Sequence, residues 1–171
     1  VAERKAIARL LLDGKITVEE GHPALEGKRE LLPYEALYLM RRDLLSLFKE
    51  DGTEVTQEEL ISSSPEKFFW QKYVVYEDLR RKGYEVGPSP FPLAFYVRRK
   101  GEEVSPTLLY VMVEGNKEAF GSLLSVLQAA RSTKKDAILA IVDATGGISY
   151  YGAALSRLDK KARVTGPAAH V

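Results

Sequence analysis

Cysteine is absent from the 171 residues, so disulfides, thiolate metal sites and a cysteine nucleophile are all excluded. Histidine is nearly absent: His22 stands before a proline and His170 is the penultimate residue. Histidine is the side chain whose ordinary pKa, about 6.5, lies nearest neutrality, and both of these read as loop or tail residues. Metal-free acid–base chemistry would therefore fall to tyrosine, lysine or carboxylate groups in perturbing surroundings. Long apolar runs are lacking too. The longest, "AILAIV" at 137–142, is far short of the roughly 20 residues that cross a bilayer, and no charged-then-apolar signal opens the sequence. The expectation is an intracellular, cytoplasmic protein with no membrane partner.

What the sequence does contain is charge of both signs on an apolar frame. Hydrophobic residues make up 45% and charged residues 29%, yet the formal net charge is only +1. The apolar content suffices for a real core, while attraction to a polyanion must come from local basic patches. There is no internal repeat and no low-complexity tract.

Along the chain, "AIARLLL" and "KITVE" flank Asp13-Gly14, the signature of a small hairpin. After the loop "GHPALEGK", Pro33 suits a first helical turn and Leu37, Met40, Leu44 and Phe48 recur at helical spacing, which predicts one helix through "YEALYLMRRDLLSLF". Thr56 and Glu59 have capping-box spacing for a short helix. Ser64, Pro65 and Glu66 then read as the start of a third helix. That helix carries Phe69, Tyr73, Tyr76 and Arg80 on one face with Leu79 beside them, and Gly83 stops it. The aromatic stripe reads as core, not as a platform for stacking bases.

From residue 84 the pattern turns to strands: "YEV", "LAFYVRR" and "TLLYVMV". The segment "EAFGSLLSVLQAA" carries Phe120, Leu123, Leu124 and Leu127 on one helical face, which should cover one side of a sheet. "AILAIVD" is apolar on both faces, as a central strand is. "ISYYGAALSRL" reads as another strand, and "TGPAAHV" reads as a tail. The fold class expected is mixed α/β, a mixed sheet with helices packed on it.

Three places could carry chemistry. Glu114 and Lys117 of "VEGNK" suggest the acid and lysine of a metal-dependent nuclease, but such groups stand two apart on one strand face, and these are three apart beside Gly115-Asn116. A solvated turn is the better reading. Arg131, Lys134 and Lys135 follow the amphipathic helix, where they suit either its negative C-terminal end or a phosphate. Arg98-Arg99-Lys100 ends a strand, and alternation sends Arg98 and Lys100 to one face and Arg99 to the other.

Taken together, "KYVVYEDLRRKGYEV", "FYVRRKG", "VSPTLLYVMV", "ARSTKKDAILAIVD" and "GGISYY" resemble the C-terminal domain of the archaeal tRNA-splicing endonucleases. "LLPYEALYLMRRDLL" and "TQEEL" resemble their N-terminal domain. The resemblance implies an N-terminal α/β domain over residues 1–68 and a restriction-endonuclease-like domain over 69–171. It also implies metal-free, cofactor-free cutting of precursor tRNA at bulge-helix-bulge intron boundaries, leaving a 2′,3′-cyclic phosphate and a 5′-hydroxyl. Family catalysis uses a tyrosine as base, a histidine as acid and a lysine that stabilises the phosphorane.

In the family's "F-x-V-Y-x-x-G" the tyrosine falls on Arg98 of this chain. In "H-S-x-x-L" the histidine falls on Val104, and in "S-V-R-K" the lysine is kept as Lys135. Valine has no exchangeable proton, and arginine as a residue type stays protonated near neutrality. Residues 84–169 contain no histidine at all, so no shift of register restores the acid. Gln128 stands where active members often have an arginine that grips a bulged base.

The resemblance thus implies a noncatalytic, structural subunit of a heterotetramer, two of each chain, whose catalytic partner supplies the triad. Its loop toward the partner resembles "DATGGISYY", giving Asp143, Gly146, Gly147, Ile148, Tyr150 and Tyr151 as expected interface residues. Family loops are more acidic than this one, in which Asp143 stands alone, leaving hydrogen bonding and shape. Ile148–Tyr151 is expected to pair edge to edge with the partner. Two rival readings remain: a metal-dependent nuclease at Glu114 and Lys117, and an autonomous RNA-binding module built on Arg98, Arg131, Lys134 and Lys135.

Overall fold

The computed structural model describes residues 4–155 and 162–167; His170 lies outside the described residues. The chain divides into two compact units, Val1–Pro65 and Glu66–Val171, where the sequence placed the boundary at 68/69. Among the described residues no helix is long and apolar enough to cross a membrane.

In the first unit, β1 (Ala6–Leu10) and β2 (Ile16–Glu20) form the expected hairpin, with Leu10 opposite Ile16. Asp13 Oδ1 accepts from the amide of Lys15 at 2.9 Å, and Gly14 takes φ +89°. The loop histidine has a structural task. His22 Nδ1 accepts from the amide of Ala24 at 3.0 Å and caps a 3-10 turn, Pro23–Leu25.

The expected long helix is two elements. Helix α1 (Pro33–Arg41) stops, and β4 (Leu45–Lys49) follows as a strand parallel to β1. Asp43 takes φ +60°, its amide donates to Met40 and that of Leu44 to Leu39, a Schellman closure that satisfies the last carbonyls of the helix. Beyond it, Leu45 and Leu47 alternate into the core, so burial on a sheet outweighs helical spacing. With β3 (Glu30–Leu31) the sheet order is β3-β2-β1-β4. The short helix α2 (Gln57–Ser62) is capped as its spacing predicts, Thr56 Oγ1 accepting from the amide of Glu59 at 3.1 Å.

The second unit is a six-stranded mixed sheet flanked by helices, the fold class the sequence predicts. Its strands are β5 (Tyr84–Pro88), β6 (Ala94–Arg99), β7 (Thr107–Val113), β8 (Ala137–Val142), β9 (Ile148–Leu155) and β10 (Ala162–Pro167), in the order β10-β9-β8-β7-β6-β5. Only β7 and β8 run parallel, because the crossover helix lies between them.

Helix α3 (Phe69–Arg81) buries Phe69, Tyr73, Tyr76 and Leu79, so the aromatic stripe is core. It begins later than Ser64 suggested. Phe68 precedes it with φ +59° and no side-chain cap, and the amide of Ser64 closes the end of α2 on Ile61. Helix α4 (Ala119–Ser132) packs Leu123, Val126, Leu127 and Ala130 against Ala94, Leu108, Tyr110 and Leu139. Tyr76 of α3 meets Phe95 at a centroid separation of 6.1 Å, and neighbours along a strand face opposite ways. The two helices therefore lie on opposite faces of the sheet.

The buried face of α4 is rotated from the expected one. Phe120 is 56% exposed and Val126 is 1% exposed, because the stripe Ala119-Leu123-Val126-Ala130 also keeps helical spacing and suits the close approach to the sheet. The expected tail is also corrected: Thr165, Gly166 and Pro167 belong to β10, whose pairs include Gly166 with Gly152 and Pro167 with Tyr151.

Candidate functional site

At one end of the second unit, Arg98, Val104, Arg131 and Lys135 line a single cleft of about 980 Å³ with Tyr84 and Ser105. Residues 98, 104 and 135, separated in sequence, line one cleft because the end of β6, the turn after it and the turn between α4 and β8 lie at the same end of the sheet. Lys134 is not among the lining residues. Its backbone explains why: Lys134 takes φ +53°, its amide donates to Arg131, and that of Lys135 donates to Ala130 at 2.8 Å. This Schellman closure satisfies the carbonyl end of α4 through the main chain. The side chain of Lys135 then reaches the cleft, where its Nζ donates to Ser105 Oγ at 3.1 Å.

Arg98 sits opposite Glu85 in the β5–β6 register, and its Nε donates to Glu85 Oε2 at 2.7 Å. Arg99 sits opposite Tyr84, its guanidinium 5.6 Å from the ring centroid, a cation–π contact. Arg98, Arg99 and Lys100 are all exposed. Val104 is 55% exposed on the turn between β6 and β7. The lining charges are Arg98, Arg99, Arg131 and Lys135 against Glu102 and Asp136, which leaves cations in excess. Sequence reasoning missed Tyr84, Glu85 and Ser105. The first two were legible in principle, since a hairpin register between "YEV" and "FYVRR" sets Glu85 opposite Arg98.

Residues 69–150 match the family model described as tRNA intron endonuclease, catalytic C-terminal domain. A tRNA-splicing endonuclease of Thermococcus gammatolerans is 34% identical over 131 residues, 74% of this chain and 77% of that protein. The chain belongs to the tRNA intron endonuclease family. The tRNA-splicing endonuclease of Pyrococcus abyssi is 33% identical over 135 residues, 77% of this chain and 79% of its own length. That of Methanococcoides burtonii matches 92% of this chain at 30% identity, but only 44% of its own length is covered.

Within this family member the loop joining β8 to β9 is tightly closed. Asp143 Oδ1 accepts from the Thr145 hydroxyl at 2.7 Å and from the amides of Thr145 and Gly147 at 2.9 Å each. These donors, the Thr145 hydroxyl first, hold the Asp143 carboxyl below its ordinary range. A Cβ on Gly147 would stand 2.6 Å from Asp143 Oδ2, so any side chain there displaces the carboxylate from its closing position. Gly146 takes φ +86°.

Tyr150 and Tyr151 are engaged within the chain. The Tyr150 hydroxyl donates to Asp78 Oδ2 at 2.6 Å. Lys82 Nζ lies 3.0 Å from Asp78 and 4.8 Å from the Tyr150 ring centroid. Burial first, then the bond to Asp78, pushes the Tyr150 phenol well above its ordinary range. Tyr151 packs against the α4 cluster.

The expected free edge along Ile148–Tyr151 is corrected at its far end. Strand β10 pairs with β9 from Tyr151 to Leu155, so that stretch is covered by the chain itself. Among the described residues, Ile148–Tyr150 has β8 on one side and no strand on the other. Glu114 is exposed on the turn after β7, and its Oε2 accepts from the amide of Ala144 at 2.6 Å. Among the described residues, no group of three or more His, Cys, Asp or Glu side chains is placed to hold a metal ion. Gln128 is exposed on α4.

Proposed function

We propose that this chain is the noncatalytic, structural subunit of a tRNA-splicing endonuclease, assembled two-and-two with a catalytic chain and acting on precursor tRNA in the cytoplasm. The observation that carries the reading is the cleft. Of the three positions that bear the family's base, acid and lysine, Arg98 is bonded to Glu85, Val104 is an exposed aliphatic side chain, and Lys135 alone keeps its residue type.

The family reaction needs two proton movements. The ribose 2′-hydroxyl loses its proton to a base as its oxygen attacks phosphorus; the P–O5′ bond breaks, and the leaving oxygen takes a proton from an acid. Arg98 has no lone pair for the first step, and Val104 has no proton for the second. Lys135 could stabilise charge on the phosphorane but cannot supply the missing pair. The partner chain carries base and acid, while this chain contributes its fold and the β8–β9 loop.

The decisive assay uses an intron-containing precursor tRNA, with the purified chain alone and with its co-expressed catalytic chain. Cleavage is expected from the pair only. Cutting by this chain alone, unaffected by Lys135→Ala, overturns the assignment. Tight, salt-sensitive RNA binding by the isolated chain would favour the autonomous RNA-binding module instead.

A further inference from the structure

Glu114 entered as half of a metal-site pattern, and the structure gives its carboxylate different work. Every amide hydrogen of residues 143–147 is hydrogen-bonded. Asp143 donates to the Gly147 carbonyl at 3.0 Å and Gly146 to the Asp143 carbonyl at 3.1 Å. The amides of Thr145 and Gly147 donate to Asp143 Oδ1. These four bonds lie inside the loop. The fifth comes from outside: Ala144 donates to Glu114 Oε2 at 2.6 Å. The amide of Glu114 also donates to the Val142 carbonyl at 3.0 Å. One residue thus holds the last residue of β8 with its backbone and the loop with its side chain.

We infer that Glu114 is a positioning residue that presets the β8–β9 loop for docking on the catalytic chain. The inference rests on the reading above that this loop meets a partner. The physical basis is pre-organisation. A loop already fixed in one conformation loses less freedom on binding than one that must be ordered at that moment. The loop is exposed, so its internal bonds compete with water, and an ionised acceptor from a neighbouring turn makes the stronger, charge-assisted kind of bond. Without that acceptor, the Ala144 amide turns to water and the loop is tied only to itself. The Glu114 carboxylate of "VEGNK" is thus aimed across at β8–β9.

The test uses the full chain carrying Glu114→Ala or Glu114→Gln, by amide hydrogen exchange alone and by affinity for the family chain of the same genome that bears the tyrosine, histidine and lysine. Glu114→Ala should speed exchange at Ala144 about tenfold, leave exchange at Val111 and Ala140 in the strands unchanged, and weaken partner affinity about tenfold. Glu114→Gln keeps an oxygen acceptor and should recover most of both effects. Unchanged exchange at Ala144 in Glu114→Ala overturns the positioning role. Faster exchange with unchanged partner affinity overturns its part in docking. Ala144→Arg separates the underlying reading: it adds a bulky cation to the exposed loop while residue 114 remains glutamate, and assembly that tolerates it overturns loop docking itself, whatever the exchange data show.

Discussion

Arg98 Nε donates to Glu85 Oε2 at 2.7 Å across the β5–β6 pair, at the corner where the family resemblance puts a catalytic tyrosine. The guanidinium is thereby held by a carboxylate of its own chain. Both side chains are almost half exposed, so water and salt screen the pair, and its worth is at most about 1 kcal/mol. Arg98→Ala should lower unfolding free energy by no more than about 1 kcal/mol in urea titration and leave precursor cleavage by the assembled pair within twofold. A large loss of cleavage with unchanged stability would show that Arg98 touches RNA or the partner.

The left-handed Lys134 offers a direct test of how Lys135 is delivered to the cleft. Its φ of +53° suits glycine better than lysine, and the closure of α4 uses its backbone only. Lys134→Gly should be neutral or stabilising by up to about 1 kcal/mol in thermal or urea unfolding. Lys134→Val should destabilise, because a β-branched side chain resists this conformation. Stabilisation by valine would refute the closure.

Gly147→Ala places a methyl group where Asp143 Oδ2 now lies, 2.6 Å from the new Cβ. The carboxylate is the movable end of a side chain, so it can yield, but only by loosening bonds to Thr145 and Gly147. The expected result is a lower midpoint in thermal unfolding, together with faster amide exchange at Thr145.

The same bonds set an acid dependence. Asp143 has a folded pKa below its ordinary value, so its contribution is present above the unfolded-state pKa of about 3.9 and is lost as pH falls through the folded value. Asp143→Asn should flatten the stability curve below about pH 4 and leave its shape near neutrality unchanged. An identical acid limb in the variant would remove Asp143 from the account.

Tyr150→Phe deletes the donor to Asp78 and leaves Lys82 beside the carboxylate. The expected loss is about 1–2 kcal/mol in urea unfolding at neutral pH. Since the folded phenol is raised, its contribution is fully present below the ordinary tyrosine value of about 10 and is lost as pH rises through the folded one. The variant should therefore show a shallower alkaline loss than the parent.

Much of the fold was legible locally. Asp13-Gly14 marked its hairpin, Thr56 and Glu59 marked α2, and the apolar run 137–142 marked the central β8, because in each the deciding interactions lie within a few residues. The helix expected through residue 48 failed for a reason that local spacing does not contain. Leu37, Met40, Leu44 and Phe48 fit a helix, but the parallel pairing of Leu45–Lys49 with Ala6–Leu10 lies far away in sequence and buries Leu45 and Leu47 instead. Phe120 was misplaced because two stripes on α4 keep helical spacing and only the sheet beneath selects between them.

The sequence by itself determined which residue types are on hand: it has no cysteine and, from 84 to 169, no histidine, so the strands and helices of the second unit carry neither. Only the tertiary structure decided what the remaining side chains do instead. It pairs Arg98 with Glu85, Lys135 with Ser105, Tyr150 with Asp78 and Glu114 with Ala144. Those partners are between 13 and 72 positions apart, and a hydrogen bond depends on distance in space, which strand order and register set and residue spacing does not.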